Sequence, residues 1–514
     1  MEGARSHWWQ SRPFVLTAAI NAIVPLLIPA LPPLVDLPGH VGRYRILAEA
    51  GTGPLAAHYG VRWALIGNLG VDLLVLGLHP LLDVEPAARL IVTLIPLATV
   101  LAMLWVAREA HGRLPPAAGF ALPLAYAYPF QLGFVNFCLG GALALAGLAW
   151  WLRLARVWPT AWRAIAFAPI AAFVWVCHSF AWAMLGLFAL GAEWRLRCDR
   201  GDQPVVALFR AGLTVTPMAL PLLFALFGTD RLAGDTGDWF NLSVKAQWIA
   251  GLLRERWKWW DVGTVIVLAM VLWAAVRSPR LRFEPLLGVP ALLGFAAFLL
   301  LPRLYAGGAG VDMRILPYAV ALALLAIRTD DAVLARRLAI GGMAFLLART
   351  IGTTIAFALF AQGQERALIA VPAMPRGAAV LVLVNQPDAA SWSDPRLAHI
   401  DGLAIARARV FTNGQWALAG QQLVHPLHPR AAPFDRDPSQ LVYPRDAAFR
   451  ITDLDQAVAS FDRCQFAAVW LVDFAPGRVR VPDLSLAWSD GRSAVYRVRP
   501  ARACLMPGPG ARPG

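Results

Sequence analysis

Residues 85–113 read EPAARLIVTLIPLATVLAMLWVAREAHGR. Apart from Arg89, positions 88 to 107 carry no charge, and the run closes on Arg108, His111 and Arg113. A hydrocarbon core about 30 Å thick is crossed by roughly 20 such residues in a helix, and arginines directly after an apolar run favour the cytoplasmic side. The stretch therefore predicts a membrane span whose C-terminal end faces the cytoplasm.

The rest of the chain repeats that texture. With 58% apolar side chains, 21 tryptophans and 15% charged residues in 514, it is too apolar for an ordinary soluble surface. The formal charge of +14 comes almost wholly from arginines beside apolar runs, where lipid phosphates meet them, so no nucleic-acid partner follows from it. Lys245 and Lys258 are the lysines, and the bias toward Ala, Arg, Pro and Gly suggests a bacterial genome rich in G and C. Spans are expected at 14–34, 88–107, 117–131, 135–152, 164–177, 180–194, 205–227, 262–276, 284–301, 315–327 and 338–360. The first follows Arg5 and Arg12 without a small-residue cleavage site and reads as a retained signal anchor.

Orientation follows from the connections. A cytoplasmic N-terminus gives inside loops with Arg108 and Arg113; Arg153, Arg156 and Arg163; Arg195, Arg197 and Arg200; Arg277, Arg280 and Arg282; and Arg328, Arg336 and Arg337. The short connections near 129–135 and 177–180 carry no Lys or Arg. Eleven crossings place the C-terminal region outside, in the periplasmic or extracellular space of a bacterial inner membrane. Residues 35–87 become a long outer loop containing ALIGNLGVDLLVLGLHPLL, residues 64–82. Counted as a span, that segment would put every later basic loop outside, so it reads as an interfacial or re-entrant helix. At 100° per residue Asn68, Asp72 and His79 fall within about 40° of one another, a polar stripe that faces either water or a cleft.

Between the first span and this segment lies LPPLVDLPGHVGRYRIL, residues 31–47. Pro38 suits the first turn of a helix, so Asp36 can be an N-cap. On such a helix Asp36, His40 and Arg43 share a face while Arg45 points away. The functional alternative is a carboxylate base beside cationic groups able to hold a phosphate.

These features together resemble the opening of membrane glycosyltransferases of the GT-C superfamily: an acidic residue, Asp36, at the end of the first span, an outer loop with interfacial helices, and a span that begins near Ala87, Ala88 and Arg89 and ends in the basic turn from Arg108 to Arg113. The combination DLPGH with Arg43 also resembles a branch of uncharacterised bacterial membrane proteins of this build. The resemblance is best over roughly the first 155 residues and continues as topology. It implies an inverting transfer of a sugar from a polyprenyl-phosphate donor to a glycan, lipid or protein acceptor at the outer face, with Asp36 as general base. His40 would assist it. The departing phosphate would be held by Arg43, Arg89, Arg303 or Arg314, and Asn68, Asp72, His79, Asn136 and His178 are the candidates to line the cleft. Many members carry two adjacent acids after the first span and another in the second outer loop. Here Asp36 stands alone and YPFQLGFVN, residues 128–136, has no carboxylate, so few oxygen ligands are in view for a divalent metal.

Other outer features have structural readings beside functional ones. Residues 228–261 carry Asp230, Asp235 and Asp238, then WIAGLLRERWKWWD, whose Trp248, Trp257, Trp259 and Trp260 suit an aromatic belt or a lipid platform. PRLYAGGAGVDMRILP, residues 302–317, brings Arg303, Asp312 and Arg314 together as a local ion pair or a phosphate site. His178 in WVCHSFAW is a bonded core histidine or a site residue.

From about residue 361 the texture changes. AAVLVLVNQ, FAAVWLVD and SAVYRVRP read as strands, so residues 361–505 form a small α/β domain outside the membrane, after a membrane domain at 1–360 and before a disordered tail at 506–514. No Walker loop, GxGxxG, HExxH or CxxC occurs in the chain. Cys138, Cys177 and Cys198 lie in or beside spans, while Cys464 and Cys504 could pair in the outer domain. A non-catalytic envelope scaffold or a binder of lipid-linked sugar competes with the enzyme reading. A transporter would need internal repeats and buried ion-binding residues that the sequence does not display.

Overall fold

The computed structural model describes residues 7–223, 234–386, 391–417, 421–427, 441–442, 454–474, 479 and 481–499. The chain is a polytopic helical membrane protein with a C-terminal sheet. Among the described residues five helices are long and apolar enough to cross a bilayer: Val84–His111, Val135–Leu154, Thr160–Cys177, Lys258–Arg277 and the one beginning at Ala332, which runs unbroken to Leu368. Shorter apolar helices cover Arg12–Leu27, Pro204–Ala219 and Pro285–Leu300.

Local chemistry sets their ends. The Asp83 carboxylate accepts from the Val84 amide, and Gly112 at φ 74° closes the same helix in the left-handed conformation. Asp331 caps the longest helix by accepting from the amides of Val333 and Leu334. Val135–Leu154 carries a run of small residues on which its neighbours rest. A Cβ on Gly140 would sit 2.6 Å from that of Ala181, and one on Gly141 would overlap the Tyr318 hydroxyl. Such close approach is how helices gain contact in lipid, where burial of apolar surface supplies little.

Two expected spans take another form. Residues 117–131 fold as a helix Ala118–Ala121, a 3-10 turn Leu122–Tyr126 and a helix Tyr128–Leu132, because Pro123 and Pro129 lack the N–H a continuous helix needs and Ala127 is extended. This stretch is buried almost throughout, the setting in which broken backbone is tolerated at membrane depth. The first span bends at Ala22 and Ile23 and is helical only to Leu27, whose carbonyl accepts from Arg89 Nη2 at 3.0 Å. Of the expected 205–227 span, Pro204–Val215 is helical, and residues from 224 lie outside the described set.

The two ends of the bundle differ. One gathers the arginine-rich connections, where Arg282 and Arg328 face each other in a short antiparallel pair and Arg156 bonds Glu109. The other carries the C-terminal region. There Ala379–Asn385 runs parallel to Ala468–Val472, to Phe411–Thr412 and to Leu441–Val442, while Ala494–Val498 and Leu484–Ser489 complete the sheet antiparallel. The three expected strands are the first, second and last of its long members.

This sheet region is fastened to the first loop. Tyr59–Val61 pairs antiparallel with Val424–Pro426. The helix Leu37–Ala48 crosses the helix Asp401–Ala408 where glycines meet: a Cβ on Gly42 would lie 2.9 Å from the Gly402 Cα, and one on Gly402 would overlap the Pro38 carbonyl. Arg407 to Glu85 and Arg409 to Glu49, each at 2.8 Å, pin the edges. Cys464 is disulfide-bonded; Cys504, Asp230 and the tail 506–514 lie outside the described residues.

Candidate functional site

Asp36 is placed by backbone rather than by its side chain. The Val35 and Asp36 amides donate to the carbonyls of Gln131 and Leu132 at 3.3 and 2.9 Å. Gly133, at φ 89°, permits that approach, since a Cβ there would lie 2.9 Å from the Asp36 nitrogen. Asp36 occupies the N-cap position of the helix Leu37–Ala48, yet its carboxylate makes no capping hydrogen bond. The capping explanation therefore fails, and the carboxylate is left for another purpose.

What faces it comes largely from the C-terminal region. His399 Nε2 lies 3.6 Å from Asp36 Oδ1, and the Asp36 side chain keeps 19% of its surface open. Trp416 packs against both His399 and His40, with ring centroids 4.4 and 5.2 Å apart. A Cβ on Gly39 would sit 2.6 Å from the Trp416 ring, so the glycine makes room for the indole. Withdrawal from water pushes the Asp36 pKa up to about 7; Arg314 and Arg43 oppose this and Asp394 reinforces it. His40 is driven well below its usual range by burial, by Arg43 and by His399, and so is neutral. Its Nδ1, like both amide atoms of Gln415, is buried with no hydrogen-bond partner among the described residues. Groups of this kind ask for hydroxyl partners.

The four arginines considered for a phosphate separate clearly. Arg43 is buried and gripped by Asp72, with Nε at 2.7 Å from Oδ1 and Nη2 at 3.0 Å from Oδ2. Asp72 also accepts from Asn136 Nδ2, which bonds Asn68, while Asn136 Oδ1 accepts from the Val71 amide. Asn68, Asp72, Asn136 and Arg43 thus form one network under the Asp36 helix, and the charge of Arg43 is balanced within it. Arg89 is engaged by the Leu27 carbonyl, and Arg303 pairs with Asp238 at 3.0 Å. Arg314 differs. Like Arg89 it has no carboxylate partner among the described residues and donates to a carbonyl, that of Ala309 at 3.3 Å, but it lies over the Phe134 ring at 4.4 Å, reaches His178 Nε2 at 3.1 Å, and is near enough to Asp36 to act on it by charge. Burial lowers its pKa to about 10, which still leaves it cationic at neutral pH, and it acts on Asp36 through the field between them. Asp312 pairs with Lys245 rather than with Arg314. His79 follows directly on the helix Gly70–Leu78, seven residues beyond Asp72, and is not part of this network.

Asp394, His399, Gln415 and Trp416 were missed by sequence reasoning, because they sit in loops and turns of the C-terminal region with no motif around them. The one available signal was the glycine pair Gly39 and Gly42, whose spacing on a helix marks a close-packed face awaiting a partner. Among the described residues no group of three His, Cys, Asp or Glu side chains is gathered to hold a metal ion.

No protein-family model matches the chain, and no curated protein is significantly similar to it. Solved structures similar to it include ArnT from Cupriavidus metallidurans in the apo state, 14% identical with a TM-score of 0.49, and the same protein bound to undecaprenyl phosphate, 15% identical with a TM-score of 0.47. Each comparison covers 96% of this chain and 98% of the other. No residue role is transferred on likeness of this degree.

Proposed function

We propose that the chain is an inverting GT-C glycosyltransferase that moves a sugar from a polyprenyl-phosphate donor to an acceptor hydroxyl at the outer face of the bacterial inner membrane. The observation that carries this reading is Asp36: a partly open carboxylate, spared from capping, with its pKa near neutrality and an uncompensated guanidinium, Arg314, in its field. It lies at the end of the bundle away from the arginine-rich connections, which is the outer end under the positive-inside bias.

In this reading Asp36 takes the proton of the acceptor hydroxyl as its oxygen attacks the anomeric carbon. The bond from that carbon to the phosphate oxygen breaks, its electron pair stays on the phosphate, and Arg314 balances the charge that develops there. Asp36 then releases its proton to water. Arg43 positions the Asp36 helix through Asp72 instead of holding phosphate, and His40, Gln415 and Trp416 offer hydrogen bonds and an aromatic face to the sugar. Approach of the hydroxyl opposite to the phosphate inverts the anomeric centre.

The test is purified protein in liposomes, offered a panel of polyprenyl-phosphate sugars and monitored for release of polyprenyl phosphate. Asp36→Asn is expected to lower the rate by about 10² to 10⁴, the usual contribution of a general base, with the melting curve retained. Full turnover by the folded variant would exclude the base role.

A further inference from the structure

A second site lies between the end of the longest helix and the C-terminal sheet. A cavity of about 370 Å³ opens there, lined by Arg256, Arg366, Asp394, Arg396 and Arg492 among others, with Leu359, Phe360 and Gly363 of the membrane helix along one wall. Asn385, the last residue of the strand Ala379–Asn385, and Asp473, directly after the parallel strand Ala468–Val472, also border it. The carboxyl ends of parallel strands are where sheets of this kind gather ligands. Asp36 is not in the lining.

The cavity's arginines, Arg256, Arg366, Arg396 and Arg492, outnumber its carboxylates, Asp394, Asp473 and Asp490, by four to three. Arg492 is paired with Asp473 at 2.9 Å. Arg256 and Arg366 have no carboxylate partner among the described residues. Arg396, only 4% exposed, directs its terminal nitrogens to the carbonyls of Pro33 and Gln131 and to the Gln131 side chain, leaving Nε buried without a partner. Asp394, 8% exposed, uses Oδ1 to accept from the Tyr128 hydroxyl and to face Arg254, while its Oδ2 is buried and unpartnered. A ligand that brings both an anion and a hydrogen-bond donor would complete these groups.

We infer that this cleft binds an anionic, hydroxyl-bearing headgroup, a phosphosugar or phosphopolyol, with phosphate at Arg256 and Arg366 and a hydroxyl donating to Asp394. The volume suits a headgroup and not a whole lipid, and the apolar wall gives an attached tail a path along the helix. None of the proposed reacting groups lines this cleft, but Asp394 belongs to it and also bears on Asp36 through its charge, so the two sites share that residue.

Calorimetric titration of the full chain in phosphatidylcholine nanodiscs with glucose 1-phosphate and with inorganic phosphate tests this, alongside the share of phosphatidylinositol retained from mixed-lipid discs. Saturable glucose 1-phosphate binding identifies a soluble source, and retention of phosphatidylinositol alone a lipid one; either supports the site. Arg366→Gln, at an exposed position of the helix, should weaken whichever ligand binds by about tenfold, the worth of one charge-assisted bond. Asp394→Asn should weaken the phosphosugar while leaving inorganic phosphate bound as tightly or more tightly, because a like charge is removed. Absence of binding by every probe, an unchanged affinity in Arg366→Gln, or equal binding of phosphate and phosphosugar would overturn the proposal.

Discussion

Two substitutions should move the pH dependence of turnover in opposite directions. With the Asp36 pKa at about 7, the base is roughly a tenth ionised at pH 6 and about nine-tenths at pH 8, so kcat/KM should rise about tenfold across that window and then level off. Arg314 favours the carboxylate and Asp394 disfavours it. A unit charge about 8 Å away at an effective dielectric of 20 is worth about 2 kcal/mol, or roughly 1.5 pH units. The part of Asp36 open to solvent screens this, and about one unit is the expected effect. Arg314→Gln should therefore shift the midpoint about one unit alkaline, and Asp394→Asn about one unit acid, whatever happens to the plateau rate. Initial rates of polyprenyl phosphate release between pH 5 and 9.5, with protein in liposomes and donor well below saturation, report both midpoints of kcat/KM. Identical midpoints, or shifts of the same sign, would refute the electrostatic account of the base.

Other consequences are structural. A carboxyl whose folded pKa is raised stabilises the fold while protonated, an effect present below the ordinary carboxylate range and lost as pH rises through about 7; melting temperatures measured from pH 4 to 8 should fall for the native chain and stay flatter in Asp36→Asn. Gly402→Val should force apart the crossing with the helix Leu37–Ala48 and cost about 1–3 kcal/mol, seen as protease sensitivity of the C-terminal region. Arg349 joins Asp261 at 3.1 Å and Glu255 at 3.6 Å, both carboxylates being 0% exposed. Arg349→Met would strand those two charges, lowering stability by about 3–5 kcal/mol in a denaturation series, far more than loss of an exposed pair.

The membrane helices were readable because each needs only an apolar run of sufficient length, and residues 88–107 announce one without reference to any other part of the chain. Asp36 was readable for a similar reason, as a charge at the edge of such a run. The segment 117–131 was misread because apolarity alone does not tell a lipid-facing span from a broken stretch packed inside protein; its two prolines were the better guide. The choice among the arginines was beyond local reading. Whether Arg43 is free depends on Asp72 and whether Arg303 is free depends on Asp238, partners brought near by tertiary packing. His399, which approaches Asp36, and Trp416, which packs on His399 and His40, were hidden more deeply, since Gly39, Gly42 and Gly402 let segments from distant parts of the chain meet at backbone distance.

Isotope-edited infrared difference spectroscopy of the native chain against Asp36→Asn, stepped from pH 4 to 9, reads the protonation of this one carboxyl and requires neither donor nor acceptor. The account predicts a protonated-carboxyl band that is present at pH 6, disappears with a midpoint near pH 7, and is missing from the variant. A band already gone by about pH 5, as for an ordinary aspartate, would contradict it.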